Sequence, residues 1–397
     1  MDATPPSTTL AELIPIPAEV TPTEGAFQLT AETHILVDAG DGELSRVAEY
    51  LAERLRPATG FPLPVFANYE GERKPGSIVL PRKDAPADLG AEGYTLMIQP
   101  EGVTLRACQQ AGAFYAVQTL CQLLPASIEH ATPQPGPWAL PCAQLRDQPR
   151  FAWRGLMLDV SRHFFDPQTV KQVIEWMAAY KLNRLHLHLS DDQGWRIEIQ
   201  SWPRLTTIGG STQVGGGQGG YYTQAEYAEL VAFAQSRCVT LVPEIDLPGH
   251  TNAALASYPE LNCEDTAPDL YTGMGVGFSS LCIRKEITYR FVEDVIRELA
   301  ALTTGDYLHI GGDEAHSTSH EDYLYFIGRV QELVHKYGKI AVGWGEVAKA
   351  RLMPQALVQP WHPGIDPAPG AKTSSRSRRV TRITRSAWSL KVAGSAG

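Results

Sequence analysis

An α/β fold, a (β/α)8-type TIM barrel that lacks its last two strands and follows a small α+β domain, is predicted by three observations. After Arg150, apolar strand-like runs alternate with segments at helical period, the pattern of a parallel sheet. A Pro-rich break, Ala131-Thr132-Pro133-Gln134-Pro135-Gly136-Pro137, separates this stretch from a preceding one of different texture. Polar residues that pack poorly in a core recur where candidate strands end, the face on which such barrels carry their chemistry.

The organisation is then an N-terminal extension over 1–13, an α+β accessory domain over 14–145, an incomplete barrel over 146–364 and a basic irregular tail over 365–397. In the accessory domain, His34–Val37 and Ser77–Leu80 read as strands. Ser45–Leu55 and Ala113–Leu124 have helical spacing. Barrel strands are expected at Gly155–Val160, Arg184–Leu189, Thr240–Ile245, Tyr307–Ile310, Ala341–Trp344 and Leu357–Trp361. Helices are expected between them. Pro167–Tyr180 starts behind Asp166 with proline at its first position. Thr223-x-x-Glu226 opens the next as a capping box. Arg284–Leu302 and Asp322–Tyr337 follow, the latter stopped by Gly338. Gly209-Gly210 and the glycines from Gly215 to Gly220 suggest a mobile rim or a linker. They lack the strand–Gly–helix spacing of a dinucleotide loop.

The 397 residues are 43% hydrophobic and 20% charged, with a net charge of −10. That acidity argues against a nucleic-acid or membrane-surface partner and suits a neutral polar ligand. No apolar run could span a bilayer. The N-terminus lacks the basic start and apolar middle of a signal peptide. As read, the chain is unexported, and secreted or periplasmic if a leader precedes it. Six cysteines include no C-x-x-C pair, so a zinc site is not expected. Cys263 and Cys282 bracket one loop and are either a disulfide or two buried thiols.

The chemistry-bearing residues sit at strand ends. Asp313-Glu314 follow a strand and two glycines. They are either a helix-capping pair or the paired carboxylates of a glycosidase, in which like charges keep one group protonated as an acid. His250 is a loop histidine or, in register with Asp191 and Glu314, part of a relay tuning that acid. Arg162 is a structural ion-pair partner or a fork onto adjacent sugar hydroxyls. Trp344 and Trp361 are core residues or walls of an apolar slot. His186 and His188 share a strand face and could hold a divalent ion. Their place inside the strand instead favours interior packing, so no metal and no cofactor is expected.

Together, Trp153–Phe164, Asn183–Trp195, Pro243–His250, His309–Glu314 and Gly343-Trp344 resemble glycoside hydrolase family 20, the β-N-acetylhexosaminidases. The motifs stand in family order and spacing, over about residues 14–362. The resemblance implies an exo-acting enzyme removing terminal N-acetylglucosamine or N-acetylgalactosamine with retention. Glu314 is then the general acid/base, and the substrate's own acetamido oxygen is the nucleophile. Asp313 holds the acetamido N–H, Asp191 and His250 support Glu314, and Arg162 grips hydroxyls 3 and 4. Trp344 and Trp361 line the acetamido pocket.

The family's barrel continues with two strands that bring a tyrosine, further tryptophans and a glutamate, none recognisable here. From Gly370 to Gly397 the chain has no acidic residue and is rich in serine and arginine. A basic arm for a polyanion would explain the composition. An out-of-frame reading of the missing strands explains composition and absence together and is the favoured reading. An unclosed barrel predicts poor stability or aggregation. The alternatives to an active glycosidase are a truncated, inactive sugar-binding homologue and a metal-dependent hydrolase using His186 and His188.

Overall fold

The computed structural model describes residues 10–70, 74–361, 381–382 and 388–391. Two compact units result, the first running to Ala152 and including Ala178–Lys181, the second comprising the rest. In the first unit, seven strands form one sheet in the order Glu19–Gln28, Ala139–Asp147, Tyr94–Gln99, Gly102–Ala107, Ser77–Leu80, Ile35–Asp38, Val65–Tyr69. Two helices, Gly42–Thr59 and Gln110–Leu123, accompany it. The first helix begins where the Asp41 side chain accepts the Leu44 N–H and ends at Gly60, whose φ of 68° closes the last turn. It buries Leu44, Val47, Leu51 and Leu55, the i, i+3, i+4 stripe of an amphipathic helix.

The second unit is a parallel sheet wrapped by helices. Its strands are β1 (Gly155–Asp159), β2 (Arg184–His188), β3 (Thr240–Glu244), β4 (Tyr307–His309), β5 (Ile340–Trp344) and β6 (Leu357–Gln359). Each expected strand is found, most ending one or two residues earlier. The longer helices are α1 (Pro167–Ala179), α2 (Gln224–Ser236), α3 (Glu286–Leu302) and α4 (His320–Lys336). Asp166 caps α1 by accepting the Thr169 N–H at 2.7 Å, and Thr223 and Glu226 form the full capping box of α2. Leu185, Leu187, Leu241, Ile245, Leu308 and Ile310 bury their side chains with those of Val170, Ile174, Leu230, Phe291 and Phe326.

The expected irregular tail contains two short strands, β7 (Thr381–Arg382) and β8 (Trp388–Lys391). Both are parallel to their neighbours, β7 on β6 and β8 on β1. The sheet therefore runs β7-β6-β5-β4-β3-β2-β1-β8. Among the described residues no pairing joins β7 to β8, so the ring of strands is interrupted there. The remainder of the 365–397 segment lies outside the described residues, as does most of the 1–13 extension.

The glycine-rich segment after β2 is anchored, contrary to the mobile rim suggested by its composition. Arg196 is fully buried and donates to five backbone carbonyls: Val160 at 3.1 Å, Ser161 at 2.6 Å, Gly210 at 3.1 Å, Thr212 at 2.8 Å and Gly220 at 3.1 Å. Burial pushes its pKa down to about 10. A Cβ at Gly194 would lie 2.0 Å from the guanidinium, and one at Gly219 would lie 2.2 Å from the Gly210 carbonyl. These two glycines exist to let backbone close around a cation. Replacing Arg196→Met strands five acceptors together, and should lower unfolding free energy by about 3 kcal/mol or more. Chemical denaturation of the two proteins side by side measures this; an unchanged midpoint contradicts it.

Candidate active site

The strand ends deliver the polar residues to one place. β1 ends at Asp159, with Arg162 three residues on. β2 presents His186 and His188 on one face and leads into Asp191, held in a short antiparallel bridge with Gly194. β3 ends at Glu244, which is level with His188 across the sheet, and runs on to Asp246 and His250. β4 ends at His309 and turns through Gly311 and Gly312 into Asp313 and Glu314. Both glycines have positive φ, 65° and 98°. A Cβ on Gly311 would sit 1.7 Å from Asp246 Oδ1, while the Gly312 N–H donates to that oxygen at 3.1 Å. The Gly-Gly pair is what lets the turn close over a carboxyl group. His250 and Glu314 themselves adopt positive φ, 54° and 43°, a costly conformation for residues with a Cβ.

A line of alternating charges runs through the buried interior. Glu244 Oε2 accepts from His186 Nε2 at 2.7 Å and from His188 Nδ1. His188 Nε2 donates to Asp191 Oδ2 at 2.7 Å. Asp191 Oδ1 accepts from His250 Nδ1 at 3.0 Å, and Arg162 Nη2 lies 2.7 Å from Asp191 Oδ2. Each charge is held by the next. Burial alone would neutralise Asp191, but Arg162, His188 and His250 depress its pKa far below the carboxylate range. Burial opposes a proton on His250, yet Asp191, Asp313 and Asp192 raise its pKa to about 9. His188 is raised well above the usual value, because Glu244, Asp159 and Asp191 outweigh its burial. His186 is the exception, pushed down to about 4 by burial.

The far nitrogen of His250, Nε2, has no hydrogen-bond partner and is buried. It lies 3.4 Å from Glu314 Oε2 and 3.9 Å from Asp313 Oδ2. Asp313 bonds to Asp246. Burial, Asp313, Glu244 and Asp191 raise the Asp246 pKa well above normal, and burial raises that of Asp313. Their mutual hydrogen bond favours the protonated form of Asp246. Asp313, one of the two adjacent carboxylates singled out in the sequence, is thus paired with Asp246. Glu314 keeps 24% of its side chain exposed and borders a cavity of about 270 Å³ with His316, Tyr323 and Glu346.

Trp344 donates its indole N–H to Glu244 Oε1 at 2.8 Å, and Trp361 donates to Glu346 at 3.0 Å. Their rings are 6.2 Å apart and tilted by 57°. Both indole N–H groups are thereby fixed. His186, Glu244 and His309 could offer three metal-ligand atoms within 4.8 Å of one another. Those groups already bond to each other, to Trp344 and to the Gly311 N–H, so His186 and His188 pack as interior side chains. Cys263 and Cys282 are joined, with Cα atoms 4.8 Å apart. The loop they close carries Ser279, which donates to Asp192 and accepts the Thr251 N–H.

Arg162, Asp191, His250, Asp313, Glu314, Trp344 and Trp361 therefore all reach the C-terminal end of the sheet. Arg162 is committed on one side to Asp159, at 2.9 Å, and to Asp191. A guanidinium has five donors, and its side chain remains 21% exposed. Sequence reasoning placed Asp246 and Glu346 among the polar residues at strand ends without a specific role, and gave none to Glu244 or Asp159. The signal for Glu244 was present: an acidic residue ending an otherwise apolar strand beside His186-x-His188.

The family pattern for "Glycosyl hydrolase family 20, catalytic domain" matches residues 151–380, and that for "Glycosyl hydrolase family 20, domain 2" matches residues 10–148. The chain belongs to glycosyl hydrolase family 20. Among its family 20 relatives, a beta-N-acetylhexosaminidase of Cellulomonas fimi is 41% identical over 90% of this chain and 70% of its own length. A beta-hexosaminidase of Porphyromonas gingivalis is 37% identical over 88% of this chain and 47% of its own. The chain thus spans about half the length of several relatives it matches. Among solved structures, the GH20 beta-N-acetylhexosaminidase of Streptomyces coelicolor A3(2) superposes with a TM-score of 0.86 at 56% identity, over 89% of this chain and 70% of that one. The N-acetyl-beta-hexosaminidase of Streptomyces plicatus, in complex with Thio-NAglucal, gives 0.85 at 58% identity, over 89% and 69%.

The raised His250 pKa has a signed consequence. Its unfolded value is about 6.5, so the stabilisation it supplies is complete below that pH and is lost as pH rises through about 9. NMR titration should show the His250 ring still protonated at neutral pH with a midpoint near 9. A midpoint near 6.5 overturns the charge assignment.

Proposed function

We propose that this chain is an exo-β-N-acetylhexosaminidase working by substrate assistance. The observation that supports it best is the line Asp191–His250–Glu314, in which a buried, protonated imidazole faces an accessible carboxyl group beside Asp313. Glu314, as the acid, gives its proton to the glycosidic oxygen as the bond to the anomeric carbon breaks. The acetamido oxygen of the same sugar attacks that carbon from the other face, and an oxazolinium ion forms. The ionised Glu314 then removes a proton from water, which opens the ring with net retention.

Asp313, steadied by its hydrogen bond with Asp246, accepts the acetamido N–H and offsets the positive charge developing there. The protonated His250 stabilises Glu314 once its proton has left. Trp344 and Trp361 enclose the acetamido methyl group, and the free donors of Arg162 grip the hydroxyls on carbons 3 and 4. Terminal N-acetylglucosamine or N-acetylgalactosamine is the sugar this set would take. Support comes also from the relatives' names and from a mutant of the Streptomyces plicatus beta-hexosaminidase, which is seen in complex with the product GlcNAc.

Hydrolysis of 4-nitrophenyl N-acetyl-β-D-glucosaminide by the purified chain should fall about 10²- to 10⁴-fold in Glu314→Gln. Asp313→Asn should reduce discrimination between the acetylated sugar and its free-amine counterpart. A soluble, folded chain that binds N-acetylglucosamine without turnover would instead be an inactive sugar-binding homologue. Turnover unchanged in Glu314→Gln would remove the mechanism.

A further inference from the structure

We infer that Glu244 is a positioning residue that couples the acid Glu314 to the Trp344 wall of the sugar pocket, so that the two cannot be set independently. This deepens the functional reading above and rests on it. Glu244 is fully buried, and its two oxygens serve two different parts of the site. Oε2 holds His186 and His188, and the path continues through Asp191 and His250 to Glu314. Oε1 holds the Trp344 indole at 2.8 Å and lies 3.0 Å from His309 Nδ1. No other described residue is bonded to both His188 and Trp344.

A carboxylate is a rigid plane, so its two oxygens move together. Rotating it to follow Trp344 drags His188, which sits between Glu244 and Asp191. His186 and His309 prevent relaxation, because their rings stack on each other at 4.5 Å while each lies against one oxygen of this carboxylate. The groups facing Glu244 are His186 and His188 from β2, His309 from β4 and Trp344 from β5, with Asp246, Asp191 and Asp313 as the nearest carboxyls. The three histidines are what keep Glu244 ionised against its burial. Removing its charge leaves His188 buried without the partner that holds its proton. His188 then holds its proton less tightly, and Asp191 loses one of its three supports.

Two variants test this, with the parent chain and Glu314→Gln measured alongside. Glu244→Gln should lower kcat/KM about 10- to 100-fold, as expected for sub-ångström misplacement of reacting groups. It should also move the basic limb of the pH profile down by about one unit and weaken the preference for N-acetyl over N-propionyl glucosaminide. Trp344→Phe keeps a ring and removes only the N–H; it should move the same pH limb, which a mere pocket wall would not do. Both variants retaining the parent pH profile would overturn the coupling. If the parent chain shows no turnover, the functional reading fails separately. The coupling is then read from the downfield imidazole N–H resonances in the folded proteins. Those of His188 and His250 should shift together in Glu244→Gln, and an unmoved His250 resonance overturns it.

Discussion

Asp191 is a full negative charge in a place without water, and the site is organised around keeping it there. An isolated buried carboxylate would take up a proton. Here three cationic partners converge on two oxygens, and each must in turn be held by something else. Arg162 is fixed by Asp159, His188 by Glu244, and His250 is left with one nitrogen facing Glu314. The architecture is a set of mutual obligations among charges on β1, β2, β3 and β4. Such a set is stable only when all members are present, since a half-satisfied polar network is worse than an apolar core.

The barrel supplies the geometry that this network needs. Parallel strands in register put Glu244 level with His188 and His309, so side chains from three strands meet without any loop having to deliver them. What the loops add is strain and closure. His250 and Glu314 take left-handed backbone conformations, and Gly311 gives up its Cβ so that Asp246 fits beneath it. Conformations of that cost persist where packing over-determines them, and here the buried carboxyls do so.

Much of this was legible in the chain itself. The six strands and four helices announce themselves through apolar period and end-caps such as Asp166 and Thr223, which act locally. Arg162, Asp191, His250 and Asp313-Glu314 stand out because polar residues at strand ends are poor core material. Glu244 and Asp246 were harder, since their meaning lies in partners 56 and 67 residues away along the chain (His188 and Asp313), as the cross-strand pairing shows. The Thr381–Arg382 and Trp388–Lys391 strands were missed because they are too short for a period-two pattern, and their pairing is set by neighbouring edges. Arg196 escaped notice because its partners are carbonyls, which every residue possesses and no side-chain pattern reports.

That last feature bears on how this surface can diversify. Arg196 holds the segment from Gly210 to Gly220 by backbone oxygens, the Val214 and Gly215 N–H groups and the Gln213 side chain add further ties, and only Gly194 and Gly219 are dictated by the cation they surround. Side chains at exposed positions such as Ser211 and Gln218 take no part in the anchoring by Arg196. The rim of the barrel can therefore change its chemical face through ordinary point substitutions while keeping its path. Diversity in what approaches the site is separated, by one buried arginine, from the rigidity that the buried charges demand.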